Sequence, residues 1–317
     1  MQKRRSCDMI KRIVCLVLTL ILSLSCCAAL ADDPQPIETI PYEELPPAID
    51  GQHHYLLLCV DQWTGKPHNL GNTDGIVIVT LDTRAHRVML TSIIRDALVE
   101  RPDGVIGRIN YIAKNYGPEA LCKVISQHVG VKIEKYLLFD FSQIASIVDF
   151  LGGVDIEITS TESNYLQRYA IPKDSTTPRL RGAGTYHFNG HSAVIYMRIR
   201  KVGGGGDFMR TQRVRTVLST LADQCREITL EEARALVDSV LENTTLTNMS
   251  TDEMVEAMNY AMELRGCTVE ELRLPPDGAA TPITYAGMSV QEIDWVACRQ
   301  AMDEYLQNSF LVLDDEE

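Results

Sequence analysis

Three apolar segments in the first third of the chain constrain its fold most strongly. Residues 55–60, 75–81 and 87–93 are rich in β-branched and aliphatic side chains, which predicts three strands. The polar residues 82–85 separate the second segment from the third, so we expect these two strands to pair as a hairpin. A chain with this beginning must build a β-sheet and then cover it.

Helical spacing dominates the rest of the sequence. Ser, Thr, Asn and acidic residues stand at the starts of these segments, as expected for capped helices. The interleaving predicts a single α/β domain in which helices cover a mixed central β-sheet. The predicted helices are 117–129, 142–150, 190–197 (capped by Asn189), 207–224, 229–241, 250–264 and 289–306, and the further strands are 136–139, 154–158 and 269–274.

The N-terminus has the pattern of an export segment. Basic residues from Lys3 to Arg12 precede an apolar run from Ile13 to Ala29, and Ala29-Leu30-Ala31 resembles a cleavage site. A cleaved signal peptide and a retained membrane anchor both fit, and both place the domain outside the cytoplasm. The expected organisation is 1–31 targeting segment, 32–53 Pro-rich linker, 54–307 domain and 308–317 acidic tail.

Charge and cysteine content exclude some classes of function. The net charge is −13, which argues against a DNA-binding regulator, because contact with phosphates needs a positive surface. Beyond residue 31 the cysteines are widely spaced and show no metal-binding pattern, so most are expected to be small buried side chains. One disulfide is compatible with the sequence, and its pairing stays open. These cysteines are Cys59, Cys122, Cys225, Cys267 and Cys298.

An arginine-rich stretch between residues 198 and 213 is the densest local charge. Arg210 and Arg213 lie one helical turn apart, and the glycines at 203–206 would let the chain fold back toward Arg198 and Arg200. Arginine favours two-pronged contacts with phosphate or carboxylate oxygens. The stretch is therefore interpreted as an anion site, and the alternative is an ordinary solvated basic helix face.

Acidic residues at predicted strand ends suggest a metal partner for that anion. Asp61 ends the first strand, Asp74 precedes the second, and Arg95-Asp96 follows the third. Ligand sites in open α/β sheets lie at strand ends. Two carboxylates with phosphate oxygens and water are a usual environment for Mg²⁺.

Several of these residues stand in strings that resemble the LytR-CpsA-Psr family. The order and spacing of the strings match over residues 55–221, and the helical tail after them is compatible with how such domains finish. The matching strings are 91–96 (TSIIRD), 108–110 (RIN), 140–141 (DF), 151–155 (LGGVD), 188–190 (FNG), 196–201 (YMRIRK) and 207–213 (DFMRTQR).

The resemblance implies a function. Members of the family transfer a glycopolymer from a polyprenyl-pyrophosphate carrier to peptidoglycan at the outer face of the membrane. They use Mg²⁺ at the pyrophosphate and hold the lipid tail in an apolar tunnel. Carried over to this sequence, the metal ligands would be Asp61 and Asp74, the catalytic residues Arg95, Asp207 and Arg210, and the substrate-binding residues Arg108, Arg198, Arg200 and Arg213.

Departures from the family pattern keep two alternatives open. Trp63 and Asn72 stand where the family usually has arginine, and Gly75 and Val214 replace its Thr and Gln. A phosphatase acting on the same lipid with water as nucleophile is one alternative. A non-catalytic protein that binds lipid pyrophosphates is the other.

Overall fold

The computed structural model describes residues 37–61, 70–168, 178–200, 202, 206–224, 229–243 and 246–307. The predicted targeting segment and acidic tail lie outside these residues, and so does Trp63. Within the described ranges, none of the helices has the length and hydropathy needed to span a membrane. By contact density the chain divides into a large unit, 36–283 with 290–317, and a small one, 1–35 with 284–289. The described part of the small unit, residues 284–289, consists of a turn at 286–287 with a strand end on each side.

The chain begins with five strands, continues with helices and single strands interleaved, and ends with three strands and a helix. The strands are β1 (Gln52–Val60), β2 (Thr73–Asp82), β3 (Arg87–Ile93), β4 (Leu98–Glu100), β5 (Ile106–Arg108), β6 (Lys135–Asp140), β7 (Val154–Ile158), β8 (Gly184–Phe188), β9 (Leu246–Thr247), β10 (Thr268–Leu274), β11 (Ala280–Tyr285) and β12 (Met288–Ile293). The helices are α1 (Ile112–Tyr116), α2 (Pro118–Val129), α3 (Phe141–Phe150), α4 (Ser160–Arg168), α5 (Gly190–Met197), α6 (Gly206–Gln224), α7 (Leu230–Asn243), α8 (Thr251–Glu263) and α9 (Trp295–Gln307).

The described residues form a mixed six-stranded sheet in the order β10-β3-β2-β1-β6-β9. Strand β2 is antiparallel to both β1 and β3, while β1 runs parallel to β6 and β3 runs parallel to β10. The expectation of a mixed sheet covered by helices is confirmed. Consequently the end of β1, the start of β2 and the ends of β3 and β6 lie at one edge.

Helices cover both faces of this sheet because its central strands are apolar on both sides. Leu56 and Ile76 face a core that includes α2 and α9. Val77 and Leu90 face a second core that includes α5 and α6. The second face is the one on which the functional site is built.

The segment before β1 packs against the rest of the large unit. Leu45 is buried, Ile37 and Ile49 pack against the first core, and the Ile40 amide donates to the Gln127 carbonyl at 3.0 Å. The part of the predicted linker from residue 37 onward is thus in contact with the fold.

One predicted helix is wrong over its first third. Residues 288–293 form β12, which pairs with β11, and helix α9 begins only at Trp295. The physical reason is that the Gln291 amide donates to the Asp96 carbonyl at 2.9 Å, while Val290 is buried as in an alternating strand. The Asp294 carboxylate then accepts from the Ala297 amide, which marks the true helix start.

Most of the cysteines that the structure describes are small buried side chains, as predicted. Cys59, Cys122 and Cys298 are buried, and Cys267 is half-buried. Burial raises the pKa of Cys122 and Cys298 to about 12, so both stay protonated at neutral pH. Cys225 lies outside the described residues.

Two buried histidines make stability depend on pH. Burial, reinforced by His53, lowers the pKa of His54 from 6.5 to about 4, and burial also lowers the pKa of His128 to about 4. The unfolded chain therefore binds protons below pH ~6.5 that the folded chain excludes. The contribution of the two histidines to stability is fully present above that pH and is lost as the pH falls toward 4.

We expect the free energy of unfolding to drop by roughly 2 kcal/mol per histidine between pH 7.5 and pH 5. Replacing His54 by Gln, which keeps a hydrogen-bonding group near Thr80 Oγ1, should remove its share of that slope. Urea unfolding at several pH values measures it. The exposed His86→Asn is the control, and an unchanged slope in His54→Gln would contradict the prediction.

Candidate functional site

A β-bulge at the edge of the sheet sets the direction of the Asp74 side chain, the central carboxylate of the site. Cys59 pairs with Gly75 and Val60 pairs with Thr73, so Asp74 has no opposite residue on β1. An extra residue in one strand bends it and redirects a side chain. Gly75 suits this place because a Cβ there would come within 3.1 Å of the Cys59 Cβ.

Asp74 is buried among three arginines. Its side chain is only 4% exposed. Arg95 donates to Oδ1, whereas Arg200 Nη2 and Arg210 Nη1 lie 3.1 Å and 3.3 Å from Oδ2. Arg210 Nη2 also donates to the Asp74 carbonyl at 3.0 Å. One carboxylate cannot neutralise three guanidinium groups, so the cluster keeps a positive charge suited to an anion.

Different elements supply these arginines, and the fold brings them together. Arg95 follows β3, Arg200 follows α5, and Arg210 lies in the first turns of α6. The Arg210 side chain is 2% exposed and that of Arg200 is 49% exposed. Arg210 is therefore fixed in place, and Arg200 is the member that solvent or a ligand reaches most easily.

Arg108 and Arg198 lie at the border of this cluster. Arg108 is 3.6 Å from Asp96 Oδ1, which is also 3.8 Å from Arg95 Nε, so Asp96 links the two arginines. The exposed Arg198 stacks over the Phe141 ring at 4.7 Å. Both predicted substrate-binding arginines thus keep charge at the same edge of the sheet.

Arg213 does not join them, which corrects its predicted role. It is buried, and its guanidinium donates to Glu162 Oε1 at 2.7 Å and to the carbonyls of Ile199 and Val202 at 3.0 Å. Every nitrogen of the group is engaged by protein. Arg213 therefore ties α6 to the segment after α5, and it holds Arg200 in place indirectly.

Glu162 is the residue that sequence reasoning missed. Burial raises its pKa, but hydrogen bonds from Thr159 and Arg213 outweigh burial, so the pKa of Glu162 is lowered overall and the carboxylate stays charged. Its Oε2 also accepts from the Thr159 amide at 2.9 Å. The Thr-x-x-Glu spacing is a capping-box signal that predicts a helix start here. It does not reveal the partner on α6.

The predicted metal ligands come to the same edge. Asp61 is exposed, and its amide donates to the Asn72 carbonyl at 3.0 Å, which places it across the strands from the bulge that carries Asp74. Among the described residues, no group of three His, Cys, Asp or Glu side chains could hold a metal. Two carboxylates are a usual share of the ligands of a hard cation, which takes the others from a phosphate and water. The side chain of Asp207 lies outside the described residues.

An apolar cavity begins directly beside the arginine cluster. It has a volume of about 280 Å³ and runs from Cys59 and Gly75 between the second sheet face and helices α3 and α6. A second apolar cavity of about 210 Å³ shares Leu57, Leu137 and Val240 with it and continues toward α8. A charged head group and a long apolar tail could therefore be bound side by side.

Known proteins are similar to this chain in sequence and in fold. Two curated relatives are polyisoprenyl-teichoic acid–peptidoglycan teichoic acid transferases. TagV of Bacillus subtilis (strain 168) is 26% identical over 162 residues, which are 49% of this chain and 39% of TagV. TagU of Bacillus licheniformis is 25% identical over 236 residues, which are 73% of this chain and 72% of TagU. The chain thus spans well under half the length of TagV.

The same architecture occurs in a solved structure. The LytR-CPS2A-psr family protein YwtF (TagT) with bound octaprenyl pyrophosphate lipid superposes with a TM-score of 0.60 at 20% identity, over 82% of this chain and 90% of that one. At this identity the likeness establishes the fold. The LytR_cpsA_psr family profile matches residues 33–303. Because that match covers most of the sequence, the chain belongs to the LytR-CpsA-Psr family.

Proposed function

We propose that the protein transfers a glycopolymer from a polyprenyl-pyrophosphate carrier to peptidoglycan. The main support for this proposal is that the apolar cavity starts at Cys59 and Gly75, next to the arginines around Asp74. This arrangement suits a ligand with a pyrophosphate head and an isoprenoid tail. The names of the transferase relatives TagV and TagU support the proposal, and so does the octaprenyl pyrophosphate bound in TagT.

The arginines would act on the pyrophosphate by charge. In the proposed reaction an acceptor hydroxyl attacks the phosphorus that carries the glycan, the bond to the bridging oxygen breaks, and polyprenyl phosphate leaves. The hydroxyl proton passes to a carboxylate or to water. Positioning and neutralisation of the non-bridging oxygens dominate such transfers. Arg95, Arg200 and Arg210 would supply both, with Arg108 and Arg198 beside them.

A magnesium ion is part of this proposal. Asp61 and Asp74 would hold it, and when bound it would add positive charge at the pyrophosphate. Arg210 is held to Asp74 through both its side-chain and its main-chain oxygens. Asp74 would therefore fix the orientation of the arginines as well as contribute to metal binding.

The proposed place of the reaction is the outer face of the membrane. The basic residues from Lys3 to Arg12, followed by the apolar run to Ala29, support this location. A lipid-linked donor lies in the same membrane. The proposal holds for a retained anchor and for a cleaved signal.

Incubating the full-length protein with a polyprenyl-pyrophosphate-linked glycan and peptidoglycan should give Mg²⁺-dependent coupling. Asp74→Asn should lower the rate by about 100-fold or more, because the arginines lose the charge that orients them. Release of phosphate without an acceptor would favour a pyrophosphatase instead. Binding of the donor without any turnover would favour a binding protein.

Filling the cavity should separate tail recognition from head recognition. Leu218→Trp places an indole where the tail is proposed to lie, and excluding even two methylene groups costs about tenfold in affinity. The KM for a long polyprenyl donor should therefore rise at least about tenfold, while the KM for a short-tailed donor stays nearly unchanged. Val255→Trp, at a position 47% exposed on α8, is the control. An equal effect on both donors would refute the tail site.

The arginines should divide into ligand-binding and structural members. Arg213→Ala strands the buried Glu162 carboxylate and should lower the free energy of unfolding by about 3–5 kcal/mol. Arg200→Ala, half exposed, should change it by less than ~1 kcal/mol and should still weaken pyrophosphate binding. Denaturant unfolding and titration with geranyl pyrophosphate measure the two effects. Equal destabilisation by both variants would contradict this division.

A further inference from the structure

Asn72 lies at the edge of the sheet where the divalent cation is proposed to bind. It stands two residues before Asp74, and its carbonyl accepts from the Asp61 amide at 3.0 Å. The Asn72 main chain is thus fixed between the two proposed metal ligands, one across the strands and one along β2. The Asn72 side chain, with its carbonyl oxygen Oδ1, therefore starts from the backbone between these two ligands.

The side-chain oxygen of Asn72 is buried and lacks a donor. Among the described residues, no group is within hydrogen-bond distance of its Oδ1. A buried acceptor without a partner is costly, so native structures rarely keep one that nothing uses. Amide oxygens are hard ligands of the kind that Mg²⁺ accepts beside carboxylates.

A second buried amide oxygen helps to discriminate between sites. Asn110 Oδ1 also lacks a donor among the described residues, but the Asn110 amide donates to the Arg95 carbonyl at 3.3 Å. The main chain of Asn110 is thus bonded to an arginine. The main chain of Asn72 is instead bonded to Asp61 and lies two residues from Asp74, so it stands between the two carboxylates that are proposed to hold the cation.

We propose that Asn72 is a third protein ligand of the divalent cation, binding through Oδ1. The inference rests on the proposed function, since it concerns the metal of that same site. Where the family pattern has a positive arginine, this chain places a neutral oxygen. The positive charge of that arginine would be replaced by tighter binding of the cation, which three side-chain oxygen ligands would hold.

Binding of Mn²⁺ to the full-length protein, followed by electron paramagnetic resonance, tests this without any turnover. Asn72→Ala should weaken Mn²⁺ binding about tenfold, the lower end of what loss of a supporting group costs a metal site. Asn72→Asp should tighten binding by adding negative charge, and Asn72→Arg should weaken it more than alanine does. Exposed Asn115→Ala is the matched control, and thermal unfolding of each variant checks the fold.

The outcomes separate this inference from the proposed function. If Asp61→Asn and Asp74→Asn weaken Mn²⁺ binding and Asn72→Ala matches Asn115→Ala, then Asn72 is not a ligand and the metal proposal stands. If the unsubstituted protein binds no Mn²⁺, with or without geranyl pyrophosphate, both metal proposals fail. Transfer of glycan to peptidoglycan is tested independently of these measurements. Tighter binding by Asn72→Asp together with weaker binding by Asn72→Ala supports the ligand assignment.

Discussion

The rest of the site depends on one buried carboxylate. Asp74 lies in a bulge, is almost fully buried, and contacts Arg95, Arg200 and Arg210. Burying a charge is costly unless partners surround it, so these arginines must reach it from three separate elements. That requirement fixes the start of β2, the end of β3 and the start of α6 at one edge of the sheet.

Local pattern predicted the sheet well. Strands β3 and β7 have the predicted bounds because an alternating or continuous apolar run identifies a strand without knowledge of its neighbours. The sequence predicts a helix from residue 289, since a short strand-like stretch directly before a helical run cannot be told from the first turns of the helix. The pairing with β11 and the hydrogen bond from the Gln291 amide to the Asp96 carbonyl show that these residues form a strand.

The convergence of Asp74 and Arg95 could be anticipated because strand ends meet at one edge, and the family resemblance added Arg210 to them. The division between Arg210 and Arg213 could not. Their spacing places them one turn apart on α6, yet Arg210 reaches Asp74 while Arg213 reaches Glu162, 51 residues earlier. The partner of a long side chain is set by tertiary packing, which spacing alone does not encode. The family resemblance implies an apolar tunnel, but the residues that line the cavity could not be named from the sequence, because they depend on how the apolar side chains pack.

The apolar cavity suggests that the tail and the head group of the proposed donor contribute differently to binding. Unfilled apolar space of this size costs a fold on the order of several kcal/mol, and the lining from Leu57 to Leu221 contributes almost no polar surface. An isoprenoid tail would recover that loss at about 0.8 kcal/mol for each buried methylene. Tail burial would therefore dominate affinity for the proposed donor. The arginines around Asp74, already paired and oriented, would then contribute mainly the position of the pyrophosphate and the charge it meets.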